Sequence, residues 1–127
     1  MSSSQYNLFA PAATKTKKNE VIEECPVLVL SGKDVHILKN TLLKNYYFIW
    51  HMPKRIATKV AICLGFGSLY NHSYEPNATY KKNFKKETIS FVALRNVKRG
   101  EEITVNYNYG NPKDKSRLWI KSIKPNV

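Results

Sequence analysis

The chain has 127 residues, of which 43% are hydrophobic and 24% are charged, which is typical of one folded domain with a modest core and not of a disordered chain. Its formal net charge of +12 comes mainly from lysine, which favours a solvated surface over arginine-based nucleic-acid recognition but leaves a basic-surface contact with nucleic acid open. No apolar run is long enough to span a membrane and the N-terminus lacks a secretory signal, so we expect an intracellular protein, cytoplasmic or nuclear and not secreted, with no membrane partner.

The N-terminal segment, residues 1–18, is rich in serine, alanine and lysine, and we expect it to be loosely ordered. Residues 21–30 are rich in strand-forming side chains and predict a strand, in which Pro26 marks a bend or an edge position. Over residues 34–43 the apolar side chains recur at helical spacing, which predicts a short helix.

The rest of the chain alternates short apolar runs with polar turns. Strands are predicted over residues 46–50, which are mostly aromatic, and over residues 60–64, 88–94 and 103–107. Many short strands and few helices indicate a mostly-β domain of several small sheets. We place its core at residues 19–110 and a C-terminal tail at residues 111–127.

The cysteines and histidines give no metal signature. Cys25 and Cys63 lie far apart in apolar stretches, which favours reduced, buried thiols over a disulfide. Two cysteines and three histidines without ligand spacing argue against a structural zinc site, so no metal is expected.

The segment of residues 64–80, LGFGSLYNHSYEPNATY, carries the first motif. Gly65 and Gly67 permit positive φ and a close approach of the backbone to a ligand. Asn71 and His72 follow, and an asparagine amide beside such a turn can bind a polar molecule. Taken alone, the segment is more simply interpreted as a polar surface loop with a structural histidine.

A second motif, GEEITVNYNY at residues 100–109, favours a functional interpretation over a surface loop. The two motifs in this order resemble the two signatures of SET-domain lysine methyltransferases, especially compact bacterial and viral members. Residues 21–27 are similar to the early strand pair of that family, and residues 46–50 to its aromatic channel strand. The resemblance extends over roughly residues 8–120 of the chain.

The resemblance implies a SET-domain, β-clip-like fold with one or two short helices and a knot-like threading of the C-terminal segment past the loop that contains Asn71. It implies transfer of a methyl group from S-adenosyl-L-methionine to the ε-amine of a lysine in a protein or peptide. A basic, histone-like tail would require a local acidic groove. Candidates for that groove are Glu23, Glu24, Glu101 and Glu102, with a solvated surface as the alternative.

The same resemblance implies roles for individual residues. Tyr107, in the Asn-Tyr pair that ends the second signature, corresponds to the catalytic tyrosine. The residues implied to bind the cofactor are Asn71, His72, Phe66, Gly67 and Trp119, the last in the position of a closing aromatic. The residues implied to line the lysine channel are Tyr46, Tyr109 and Leu64.

These residue types suit the chemistry. Methyl transfer is an in-line displacement at a sulfonium carbon, and it requires a neutral amine, alignment and exclusion of water. An apolar aromatic channel lowers the pKa of a lysine by disfavouring its ammonium form. Aromatic faces also attract a methylated ammonium product.

The chain departs from the family at its N-terminus. The usual Gly-x-Gly before the first Phe-Ala is replaced by Gln5, Tyr6 and Asn7. A catalytically weak or inactive domain that binds only a peptide is therefore an alternative, and a basic nucleic-acid-binding module is a second one. Small members of the family can dimerise, so a homodimer also stays open.

Overall fold

The computed structural model describes residues 10–108 and 111–116. Five antiparallel strands form a sheet in the order β2-β3-β1-β6-β5, and two more strands, β4 and β7, pair in parallel. The strands are β1 (Val21–Ser31), β2 (Phe48–His51), β3 (Lys59–Cys63), β4 (Asn71–His72), β5 (Ala78–Asn83), β6 (Thr88–Ala93) and β7 (Thr104–Val105). The helical elements are α1 (Lys33–Leu38) and three 3₁₀ turns, Leu42–Asn45, Pro53–Arg55 and Gly67–Leu69.

Pro26 lies where the central strand β1 changes partners. The first half of β1 pairs with β6 as far as Pro26, and its second half pairs with β3 from Val27 onward. A proline has no N–H to donate, so it is tolerated where the ladder shifts from one side to the other. The carbonyl oxygen of Pro26 still accepts a hydrogen bond from the N–H of Leu64 at 2.9 Å. The bend predicted at Pro26 is thus a switch of partners inside the sheet.

The predicted helix over residues 34–43 is divided in the structure. Helix α1 ends at Leu38, and the separate 3₁₀ turn Leu42–Asn45 follows it. Thr41 has extended backbone angles, and its hydroxyl donates to the carbonyl oxygen of Leu38 and accepts from the N–H of Leu43. This side chain ends one helical turn and caps the next, as threonine commonly does.

The five-stranded sheet curls until its two edge strands, β2 and β5, approach each other. The rings of Phe48 and Tyr80 lie 4.9 Å apart, and those of Trp50 and Phe84 lie 4.8 Å apart. The ammonium of Lys82 donates to the carbonyl oxygen of Ile49 at 2.5 Å. Burial lowers the pKa of Lys82. This curl encloses the space in which the candidate site lies.

The parallel pair β4–β7 brings the two sequence motifs together. Asn71 lies opposite Thr104, and His72 lies opposite Val105. Beyond β7 the chain continues past the same loop, because the hydroxyl of Tyr74 and the amide of Asn108 both donate to the carbonyl oxygen of Ser116, at 2.9 and 2.8 Å. The predicted mostly-β fold is confirmed, and Ser116 lies beside the loop that follows β4.

Residues 10–18 are more ordered than predicted. Ala10 and Ala12 are buried. The N–H of Ala12 donates to the carbonyl oxygen of Glu101, and Thr16 forms a two-way backbone pair with Val97. This part of the predicted loose segment is therefore tied to the chain that leads into β7.

The core is a cluster of buried side chains, many of them from the five-stranded sheet. Its largest fully buried side chains include Phe91, Ile89 and Ile103. Cys25 and Cys63 are free and buried, as predicted. The hydrogen bond between the two thiols is the main cause that raises the pKa of Cys63, and burial raises it further. The thiol of Cys63 therefore stays protonated. Within residues 10–108 and 111–116, no helix is long and apolar enough to cross a membrane.

Candidate active site

An aromatic cavity opens where the curled edges of the sheet meet the first motif. It encloses about 480 Å³ of empty space, part of it open to solvent. Its walls come from the aromatic strand, from the turn after Gly65, from β5 and from the residue two positions beyond β7. They are Asn45, Tyr46, Tyr47, Phe48, Ile49, Gly67, Ser68, Tyr70, Tyr80 and Tyr107. Six aromatic rings in this wall create an apolar passage of the kind that disfavours an ammonium ion and so favours a neutral amine.

Tyr107 is held in this wall at both ends. Its backbone N–H donates to Nδ1 of His72 at 2.9 Å, and its hydroxyl donates to the carbonyl oxygen of Tyr70 at 2.7 Å. Burial is the main reason that the pKa of Tyr107 lies above its ordinary value. The hydroxyl therefore stays protonated near neutral pH and is fixed in orientation.

His72 lies beside Tyr107 and is fully buried. Its ring centroid is 5.3 Å from that of Tyr107 and 4.4 Å from that of Tyr74. Burial lowers the pKa of His72 from 6.5 to about 4, so the ring is neutral near pH 7. Because Nδ1 accepts the N–H of Tyr107, the ring proton belongs on Nε2, which has no hydrogen-bond partner among the described residues. The site thus contains a buried N–H donor, Nε2 of His72, for which the described residues provide no acceptor.

Glu23 binds the turn that contains Gly65 and Gly67 through two hydrogen bonds. One carboxylate oxygen accepts the N–H of Phe66 at 3.1 Å, and the other accepts the hydroxyl of Tyr70 at 2.6 Å. Gly65 has φ +94°, and a Cβ there would lie 2.5 Å from the Glu23 carboxylate, so only glycine fits. A Cβ on Gly67 would come within 2.9 Å of Phe91 and both thiols. The glycines thus let the loop pack tightly onto β1.

The structure brings together some of the predicted site residues and separates others. Tyr46 and Tyr107 line the same cavity, as does Gly67. Leu64 is 47% exposed and Phe66 is 60% exposed, and neither belongs to the cavity wall formed by the described residues. Tyr109 and Trp119 lie outside the described residues.

Asn71 is directed into the protein. It is buried, and its amide donates to the Glu102 carboxylate at 2.6 Å. The neighbouring Asn77 is also buried, donating to the carbonyl oxygen of Glu102 and accepting the N–H of Thr104. These amides fasten β4 to the chain around β7.

The four predicted acidic candidates do not form one groove. Glu23 holds the glycine turn and Glu102 binds Asn71, whereas Glu24 is exposed and contacts Ser90. Glu101 forms an ion pair with Arg95, whose hydrogen bond is the main cause that lowers the pKa of Glu101 to about 2. Each carboxylate therefore has a separate local partner.

Sequence reasoning missed Glu23 as a support of the site. A signal was present in the alternation of β1, since Glu23, Cys25 and Val27 share one face of the strand and the latter two are buried. A carboxylate on a core-facing position requires a hydrogen-bonding partner, which here is the glycine turn. Tyr70 and Tyr80 were missed because tyrosines are so numerous in this chain that most serve in packing.

Comparison with known proteins matches residues 8–108 to the SET domain family. A histone-lysine N-methyltransferase, H3 lysine-37 specific, from Schizosaccharomyces pombe is 33% identical over 101 residues, which cover 79% of this chain and 60% of that protein. An H3 lysine-36 specific histone-lysine N-methyltransferase from Mycosarcoma maydis is 37% identical over 76 residues, 54% of this chain and 8% of that protein. The chain thus spans less than two thirds of the length of either relative.

Two solved structures are similar in fold. A crystal structure of a proposed histone methyltransferase from Plasmodium falciparum has a TM-score of 0.59 at 27% identity, covering 79% of this chain and 86% of that one. A crystal structure of an active polycomb repressive complex 2 in the basal state has a TM-score of 0.60 at 20% identity, covering 80% of this chain and 13% of that one. The second similarity concerns the fold alone.

Proposed function

Because the chain belongs to the SET domain family, we propose that it is a protein-lysine N-methyltransferase that transfers a methyl group from S-adenosyl-L-methionine to a lysine ε-amine. The observation that supports this most directly is the aromatic cavity with the fixed hydroxyl of Tyr107 in its wall. Both named relatives are histone-lysine N-methyltransferases, and we extend to this chain the general substrate class, a lysine in a protein or peptide.

The cavity walls perform three tasks in this proposal. The rings of Tyr46, Phe48 and Tyr80 exclude water and favour the neutral form of the incoming amine. Tyr107 aligns that amine, since its hydroxyl is protonated and fixed by the carbonyl oxygen of Tyr70. Alignment of this kind replaces a strong base, because the amine needs only to lose its proton to solvent before attack.

The residues present fit a bound S-adenosyl-L-methionine, which would supply the activated methyl group. The buried Nε2–H of His72 is a donor without a described partner and lies beside Tyr107. The exposed ring of Phe66 offers an apolar surface next to the same loop. Gly67 and Asn71 would act through the backbone shape of the loop, since the amide of Asn71 binds Glu102. A closing role for Trp119 and a channel role for Tyr109 and Leu64 stay predictions.

Replacing Tyr107 with phenylalanine tests the proposal. The variant keeps the ring but loses the hydroxyl, and the loss of a preorganised polar group at a reacting centre slows turnover by roughly 10²–10³. The measurement is transfer of a radiolabelled methyl group to a mixed peptide pool, with calorimetric binding of S-adenosyl-L-methionine as the check on folding. Tyr74→Phe is the matched control, because the Tyr74 hydroxyl binds Ser116 and lies outside the cavity wall.

The outcomes separate the alternatives. Undiminished turnover in Tyr107→Phe removes that hydroxyl from its proposed role. A wild-type protein that binds a lysine peptide but neither binds the cofactor nor methylates would be a peptide-binding SET domain. Retention on DNA or RNA with a steep dependence on salt would instead indicate the nucleic-acid module.

A further inference from the structure

We propose that the protein selects lysines whose neighbouring residues are acidic, and that a second groove beside the aromatic cavity binds those neighbours. The inference rests on the proposed function and adds a substrate class to it. It starts from a groove of about 850 Å³, open to solvent, between α1 and the chain that leads into β3. The residues that line it include Val35, His36, Lys39, Tyr47 and Ile56.

Tyr47 connects the groove to the cavity. It lines the cavity that we assign to the lysine side chain and also lines the groove. We therefore assign the groove to the residues that flank this lysine in a bound peptide. The side chains that line the groove then determine which flanking residues bind favourably.

Among the described residues that line the groove, Lys39 supplies a positive charge. His36 and Lys39 are exposed and both line it, and neither forms an ion pair with a described residue. The only carboxylate of α1, Asp34, is not in the groove wall, as expected for a residue turned about 140° around the helix from Lys39. Residues 32–59 as a whole contain six lysines and arginines against this one acid. A peptide rich in lysine and arginine would meet like charge here.

The groove also has an apolar floor suited to a peptide. Val35 and Tyr47 are half-buried, and Ile56 is 66% exposed although it faces the groove. Aliphatic and aromatic side chains of this kind suit a peptide better than a phosphate backbone. The fitting occupant is therefore an acidic peptide segment with an apolar residue.

The test uses two fluorescent peptides that differ only in charge, each with one central lysine flanked by glutamates or by additional arginines. Binding is measured by anisotropy at low and high salt, and methylation by mass spectrometry. One exposed charge pair predicts a preference for the acidic peptide of roughly two- to fivefold at low salt, which weakens at high salt. The variant Lys39→Glu should remove or reverse the preference, whereas the control Lys15→Glu, outside the groove, should keep it.

Binding and methylation test separate parts of the proposal. Equal binding of both peptides, or tighter binding of the basic one, overturns the acidic preference whatever the methylation result. The same holds if a single-stranded oligonucleotide displaces the acidic peptide and Lys39→Glu weakens the oligonucleotide more. If the acidic peptide binds selectively but no peptide is methylated, the preference stands and the proposed catalytic function fails.

Discussion

Glu23 links the central strand to the candidate active site through two hydrogen bonds. Its carboxylate accepts from the N–H of Phe66 and from the hydroxyl of Tyr70, whose own carbonyl oxygen accepts from Tyr107. Burial and the bond to Glu23 raise the pKa of Tyr70, so its hydroxyl remains a donor. We interpret Glu23 as a positioning residue that acts on Tyr107 through Tyr70.

Replacing Glu23 with glutamine should disturb this chain of contacts. The amide retains one acceptor oxygen but cannot accept both bonds, so the free energy of unfolding should fall by about 1–3 kcal/mol. The turnover number should also fall at saturating peptide and cofactor, measured well below the unfolding midpoint, because Tyr107 is less well oriented. Glu24→Gln is the matched control, since Glu24 is exposed and contacts only Ser90 among the described side chains. A loss of stability without any fall in turnover would make Glu23 merely structural.

His72 should make the protein less stable in mild acid. Its folded pKa of about 4 lies below the ordinary 6.5, so the unfolded chain binds the proton more tightly. The contribution is complete above pH 6.5 and is lost as the pH falls towards 4, by up to about 3 kcal/mol. Urea unfolding at pH 7 and pH 4.5 should show a smaller loss in His72→Gln than in the wild type, whereas the exposed His36→Gln keeps the full loss. Equal losses in all three proteins would contradict this account.

At the scale of residues, the sequence predicted which residues lie in the site better than it predicted the direction of their side chains. Tyr46 and Tyr107 meet in one cavity, as the family pattern implies. The direction of Asn71 was not predictable, because an amide in a motif carries no sign of the partner it will choose. Its partner, Glu102, comes from a distant segment that only the parallel pairing of β4 and β7 places alongside.

At the scale of elements, the two-residue strands β4 and β7 depend on side chains for their pairing. Asn77 supplies two bonds to the segment of Glu102 and Thr104, at 2.8 and 2.9 Å, and its own N–H donates to the Thr104 hydroxyl at 3.3 Å. So short a parallel ladder has few backbone bonds of its own. Buried amides therefore provide the stabilisation that strand length provides elsewhere.

Asn77→Ala should loosen this pair of strands. The substitution removes the partner of the part-buried Glu102 carbonyl oxygen and of the buried N–H of Thr104, at a combined cost of roughly 2–4 kcal/mol in unfolding free energy. Asn83→Ala serves as the control, because Asn83 makes its side-chain bond to Lys86 in an exposed turn. Denaturant unfolding of both variants checks the prediction. A cost for Asn77→Ala no larger than for Asn83→Ala would show that the pairing does not need the amide.

Elements with a strong local pattern were predicted from the sequence, and those defined by a distant partner were not. The apolar strand at residues 60–64 corresponds to β3, shifted by one residue. Strand β5 was not predicted because its lysines obscure the pattern, yet Ala78, Tyr80 and Lys82 alternate on one face. Strand β4 has no periodicity to find, because two residues are a strand only beside β7.

At the scale of the whole molecule, the curl of the sheet covers its two edge strands. The edge strands of a sheet normally offer unpaired backbone groups to other chains. Here the edges cover each other through the ring pairs of Phe48 with Tyr80 and of Trp50 with Phe84, and through the bond from Lys82 to Ile49. The same closure forms the cavity, so the shape of the candidate active site and the protection of the edges have one cause.

The central position of β1 also determines the order in which the sheet can assemble. Strands β2 and β3, and likewise β5 and β6, are neighbours along the chain, whereas β1 pairs with strands far from it. Closing the shorter loops costs less chain entropy, so the two hairpins should form first and β1 should be inserted between them late. In pulse-labelled refolding, amide hydrogens bonded between β5 and β6 should gain protection before those bonded between β1 and its neighbours; protection in the opposite order would reverse this sequence. Until that insertion Glu23 is absent from beneath the glycine turn, so this turn takes its shape only at the final step of folding.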